Sequence, residues 1–317
     1  MKSKGKRQIS KGKSEIRKEA ISEFLKSSAA LLKFAYCLLP FDLLLFLTFC
    51  LIPFSAPLAQ PRLAILAFKG ESTASDHLQK LASQSEFTLV DPQQLSLSLT
   101  GAGYHGSLNM TLDEARGLGL SIGCDYYLLG VAKILRRSAS EKEFYFDVLL
   151  AALLVETRSG KLLRFSFEKA QVAQEAFAQK QLAKLAETIW RQSTDAIKSG
   201  AAQNAASPSQ TEIYELASEE ATKLNIKPPQ FYRRLKPAYT EMADFAGITA
   251  TIELKAIFQA DGKIGAVEII RWGGFGLDES AIDTVKQLRF EPAKLNGRAV
   301  NISAVVQYNF RKEEKAK

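Results

Sequence analysis

The C-terminal eighty or so residues, from Lys236 to Phe310, constrain this chain more than any other stretch. From Ile248, apolar side chains fall on alternate residues: Ile248, Ala250, Ile252, Leu254, Ala256 and Phe258. Thr249, Thr251, Glu253, Lys255 and Gln259 lie between them, with only Ile257 out of pattern. Period two marks a strand with one buried face. Asp261-Gly262 predicts a tight type I′ hairpin into a second apolar run, Lys263 to Arg271. The cluster Gly273, Gly274 and Gly276 then reads as a turn. Leu277, Ala281, Val285 and Leu288 form one stripe of a helix, with Asp278 and Glu279 favouring its N-terminal end. A turn at Asn296-Gly297 opens a last alternating run, Val300 to Phe310. Strand, hairpin, strand, helix, strand makes a small sheet with an edge. Such an edge can take up an extended peptide without any catalytic residue.

These residues resemble the C-terminal domain of the TonB energy-transducer family. The resemblance is carried by Pro237-x-Tyr239, Ala243, Gly247-Ile248, Asp261-Gly262-Lys263, Leu277-Asp278 with Ala281-Ile282, Arg289-Phe290-x-Pro292-Ala293, Asn296-Gly297-Arg298 and the closing strand. One departure is Thr240, where the family has proline after the tyrosine. The resemblance implies a periplasmic module, residues 236–311, that grips an extended peptide of an outer-membrane TonB-dependent receptor by strand addition. The outward side chains Asn301, Ser303, Val305, Gln307 and Asn309 would then tune selection.

The opposite end predicts a membrane anchor. Residues 1–33 hold ten Lys or Arg against three Glu. The remaining chain has 32 basic and 31 acidic residues, so the formal charge of +8 reads as a property of this cytoplasmic tail. It does not point to a nucleic-acid surface. Residues 34–54 are predominantly apolar with one charge, Asp42, and are long enough for the roughly 30 Å of a bilayer core. Basic residues on the N-terminal side predict a cytoplasmic N-terminus with the rest of the chain outside the cytoplasm; with the TonB resemblance this implies a single-pass inner-membrane protein with its bulk in the periplasm. A cleaved leader ending near Ser55-Ala56-Pro57-Leu58-Ala59 is the alternative, disfavoured by Pro57 or Phe54 at the position that wants a small residue. TonB transducers carry a Ser-x-x-x-His motif in this helix to engage a proton-driven motor. Here the first histidine is His77, and Asp42 is the one ionisable candidate for coupling to ExbB/ExbD-like motor proteins.

Residues 62–197 read as a second α/β sandwich unit. Apolar runs at 63–68 and 87–91 alternate with helical signals at 74–84 and 111–120. Strands at 126–135, 144–156 and 162–168 then form a meander, and a helix over 171–197 closes the unit. Leu63 to Phe68, Phe87 to Asp91, Gly123 to Gly130 and Glu156 to Lys161 resemble, more loosely, the N-terminal domain of TolB and the curli-secretion lipoprotein CsgG. That resemblance implies an envelope interaction module. Residues 198–235 read as a small, polar linker followed by a helix near 211–224.

Nothing in the sequence composes a catalytic site. His77 and His105 lack metal-ligand neighbours at a useful spacing, and Cys37, Cys50 and Cys124 offer no disulfide in the exported part. The overall expectation is an α+β, non-enzymatic envelope protein without a cofactor, acting as an energy transducer or as a non-energised scaffold.

Overall fold

A computed structural model describes residues 60–139, 142–200 and 213–312. The basic tail, the apolar segment with Asp42 and most of the 198–212 linker lie outside these residues. Contacts divide the chain into Met1–Ala59 and Gln60–Lys317, and the second unit is described here. Among the described residues no helix is long and apolar enough to cross a membrane.

The first sheet comprises β1 (Arg62–Ile65), β2 (Lys69–Gly70), β3 (Thr88–Leu89), β5 (Tyr126–Ala139), β6 (Lys142–Glu156) and β7 (Leu162–Val172). Its order is β3-β1-β5-β6-β7, with β2 also paired to β5. The short strands β1 and β3 are parallel to their neighbours, whereas β5, β6 and β7 form an antiparallel meander. Two early strands followed by a meander are what the hydrophobic runs predict; the order β3-β1 beside the meander comes from the structure. One face is covered by α1 (Thr73–Ser83) and the long α4 (Glu175–Gly200), which bury Leu78, Leu182 and Ile189 against Val148 and Leu150. Toward the other face lie α2 (Pro92–Gly101) and α3 (Leu112–Ile122). Helix α2 is absent from the sequence reading, although Asp91 caps it through Gln93 and Gln94 and Pro92 opens it. Thr111 and Glu114 form the expected capping box of α3.

The second sheet has the order β4-β11-β10-β15-β8. Its long strands are β10 (Ala250–Phe258), β11 (Ile264–Trp272) and β15 (Ile302–Phe310). Strict alternation in β10 places Ile252, Leu254 and Phe258 inside, under α7 (Leu277–Lys286). The sheet is completed by two pieces from elsewhere, β4 (Met110–Thr111) and β8 (Tyr214–Glu215). Two further ribbons pair β9 (Gln230–Phe231) with β12 (Phe290–Glu291), and β13 (Lys294–Leu295) with β14 (Arg298–Ala299).

Several local readings change. The helix near 211–224 is, from Ile213 onward, β8 followed by the short α5 (Glu219–Lys223). Tyr214 and Leu216 find the open edge of β15 and pair there instead of coiling. The strand begins at Ala250 rather than Ile248, because Gly247 caps α6 (Glu241–Ala246) with φ 65°. The type I′ geometry belongs to Asn296-Gly297, where both φ angles are positive, at 51° and 82°. At Asp261-Gly262 only Gly262 is left-handed. Gly262 N–H donates to Gln259 O, and Gln259 N–H to Lys263 O, the pattern of a longer turn ending in a bulge.

The two sheets are not beads on a linker. One continuous core holds Leu129, Leu153 and Val155 of the first sheet together with Ile252 and Trp272 of the second sheet and Phe275 of the turn that follows it.

Candidate functional site

The candidate site is the outer edge of β15. This strand is paired on its inner side with β10 over nine positions, from Ala250–Phe310 to Phe258–Ile302. On its outer side, β8 runs parallel and covers only Ile302 and Ser303. There Tyr214 N–H donates to Asn301 O at 3.1 Å, and Leu216 N–H donates to Ser303 O at 2.9 Å. Main-chain groups alternate sides along a strand. Since Asn301 and Ser303 point theirs outward, so do Val305, Gln307 and Asn309. Beyond Ser303 no strand among the described residues occupies that side. The edge therefore offers the amides and carbonyls of three alternate residues to an incoming chain.

The five residues singled out in the sequence divide into two groups. Val305, Gln307 and Asn309 have exposed side chains on the face away from α7, with Val305 56% exposed. Asn309 Oδ1 accepts from Thr251 Oγ1 at 2.8 Å. Ser303 is buried, and its hydroxyl has no partner. Asn301 is half-buried, and its Oδ1 accepts the Ala260 amide at 2.8 Å, bracing the β10–β11 turn. β8 also brings Glu215 to Lys255 at 2.8 Å, which holds the Glu215 carboxyl below its usual range. The missing signal was β8 itself: two residues of strand without a flanking apolar run have no readable periodicity.

Behind the edge lies a polar and aromatic seam that fixes the second sheet on the first. β4 pairs with the end of β11, Thr111 opposite Arg271 and Met110 opposite Trp272. Trp272 is buried, and its Nε1 donates to Gly160 O at 3.0 Å. Gly160 sits at φ 69° in the β6–β7 turn, and a Cβ there would meet Leu112 O at 1.9 Å. Phe275 is buried with φ 55° and lies 4.9 Å from the Phe165 ring. A left-handed conformation is uncommon for an aromatic residue and requires the surroundings to hold it. Thr240 supplies part of that hold: its hydroxyl donates to Phe275 O while accepting from Ala243 N–H to cap α6. The family departure at this position thus serves as a cap and a brace.

Asp278 supplies the rest. Its two carboxylate oxygens accept the Gly273 and Gly274 amides at 3.0 and 2.7 Å, clamping the glycine turn. Burial pushes its carboxyl up to about 6, although the two amide bonds oppose the shift. Cys124 is buried, and burial likewise pushes its thiol up to about 11, so it is a packing residue. Among the described residues no group of three or more His, Cys, Asp or Glu stands close enough to hold a metal ion. Asp42 lies outside the described residues.

Comparison with known proteins places one family on the domain that carries this edge. Residues 236–311 match the family model of the Gram-negative bacterial TonB protein C-terminal domain. No curated protein matches the chain. Among solved structures, the Pseudomonas aeruginosa TonB C-terminal domain is 20% identical, with a TM-score of 0.26, covering 33% of this chain and 100% of that one. The LpoB C-terminal domain from Salmonella enterica is 23% identical, with a TM-score of 0.25, covering 36% and 83%. Lipoprotein GNA1162 from Neisseria meningitidis is 13% identical, with a TM-score of 0.31, covering 43% and 99%. The looser TolB and CsgG resemblance of residues 62–197 finds no support in these comparisons.

Proposed function

We propose that this protein grips an extended segment of an envelope partner by strand addition on the outer edge of β15. The observation that carries this reading is the unpaired main-chain side of Val305, Gln307 and Asn309, on a domain matched by the TonB C-terminal model. The partner is a segment of an outer-membrane TonB-dependent receptor. Its backbone would hydrogen-bond to the edge, and the side chains of Val305, Gln307 and Asn309 would discriminate among sequences. Asn301 and Ser303 leave the selecting set, because one braces a turn and the other is covered.

On this reading the apolar segment 34–54 holds the chain in the inner membrane, with the bulk of it periplasmic. Asp42 would couple the anchor to ExbB/ExbD-like motor proteins. The test is titration of residues 60–317 with receptor-derived extended peptides, followed by amide NMR. We expect shifts at Val305, Gln307 and Asn309; unmoved amides at millimolar peptide would remove the proposal. Residues 236–317 alone are unsuited, since cutting them out would bare Trp272 and Phe275.

A non-energised scaffold is the second reading. The continuous core between the two sheets favours it, because it packs the grip directly against the preceding sheet. Asp42→Asn separates the two: a transducer loses uptake while remaining folded and inserted, whereas a scaffold is unaffected.

A further inference from the structure

The near balance of charge beyond residue 33 conceals a strong separation. The β9–β12 ribbon brings residues 226–236 and 289–299 side by side. Phe231 pairs with Phe290, Tyr232 N–H donates to Arg289 O, and Lys227 exchanges two main-chain hydrogen bonds with Lys294. The β13–β14 hairpin extends the same strip to Arg298. Along it stand seven basic side chains against a single acid, Glu291. Glu291 is already taken by Lys294. The other six, Lys227, Arg233, Arg234, Lys236, Arg289 and Arg298, are all exposed. None forms an ion pair among the described residues.

Aromatic side chains are interleaved with this charge. Phe231 is 43% exposed and is held by the rings of Phe258 and Phe290, at 5.4 and 6.1 Å. Tyr232, next to it, is 73% exposed. A ring with an apolar body and a polar tip, set among long cationic side chains, suits the boundary between lipid headgroups and acyl chains. Flexible cations without fixed partners suit a surface whose own charges are mobile. An acidic peptide would need a more defined groove with counter-charges in register.

We infer that the strip formed by residues 226–236 and 289–299 is a docking surface for an anionic phospholipid bilayer. Arg233, Arg234, Arg289 and their neighbours meet the headgroups, and Tyr232 sits at the interface. The surface shares no residue with the β15 edge, so either proposal can fail without the other.

The test uses the full chain in nanodiscs of neutral phosphatidylcholine, or with about a third phosphatidylglycerol, read by amide hydrogen exchange. Exchange over 226–236 and 289–299 should slow at least about fivefold in the anionic discs and recover at about 0.5 M salt. Arg233→Glu with Arg234→Glu should abolish the protection while exchange over 302–310 stays unchanged, since both side chains are exposed and unpaired. Equal exchange in both lipids would overturn the proposal. So would protection by soluble poly-glutamate together with none from anionic discs, which would assign the strip to an acidic protein.

Discussion

Asn109 treats Thr251 as a strand would. Its Oδ1 accepts the Thr251 amide at 3.0 Å, and its Nδ2 donates to the Thr251 carbonyl at 2.9 Å. The same Nδ2 also donates to Trp272 O at 2.6 Å. One side chain thus satisfies the main chain of β10 and β11 where β4 is too short to do so.

Asn109→Ala should therefore cost more than an ordinary polar truncation. Three main-chain groups would lose their partner in a half-buried place, and we expect a loss of about 2–4 kcal/mol. Urea unfolding of residues 60–317 measures it. A loss below about 0.5 kcal/mol would mean that solvent replaces the amide freely.

Trp272→Phe isolates one hydrogen bond of the seam. The ring volume stays largely filled, but Gly160 O is left without its donor. We expect about 1–2 kcal/mol of destabilisation, and about 3–5 kcal/mol for Trp272→Ala, where a cavity is added. Thermal unfolding of the two variants side by side gives the comparison.

Proline at adjacent positions of β15 should act oppositely. The amide of Gln307 faces outward and that of Val306 faces β10, by the alternation described above. Gln307→Pro should change stability by about 1 kcal/mol or less and weaken peptide binding about tenfold or more. Val306→Pro should cost about 3 kcal/mol or more by breaking the ladder. Equal stability losses would mean that the strand's facing is wrong.

The raised Asp278 carboxyl gives stability an unusual slope. The folded chain holds this proton more tightly than the unfolded chain, since about 6 exceeds the usual 3.8. The stability it contributes is complete below about 3.8 and is lost as pH rises through about 6. Asp278→Asn removes the slope, so the advantage of the native residue over the variant should shrink from pH 4 to 7. Guanidinium midpoints across that window test it; the opposite slope would show that the two glycine amides outweigh burial.

How much of this was legible depends on the length of the signal. β10, β15 and α7 announce themselves through repeated periodicity, because each buries one face along its whole length. The open side of β15 follows from their order, and with it Val305, Gln307 and Asn309. Alternation alone sets Ser303 and Asn301 beside Val305, Gln307 and Asn309, but β8 and the Ala260 amide reach them from distant residues. Asn109 was invisible for the same reason: it lies 142 residues from Thr251 and within no apolar pattern. The basic strip has no signature in the sequence, because it joins two distant stretches, both positive, whose charge is offset by acids elsewhere in the chain.

The pairing of β15 with β10 also has a mechanical consequence. A pull directed along β15 loads nine register positions in shear, all together, and cannot peel them one by one. From β11 the load passes through Trp272 and its hydrogen bond to Gly160 into the β6–β7 turn of the first sheet. Tension taken up at this edge is therefore borne by the whole unit from Gln60 onward.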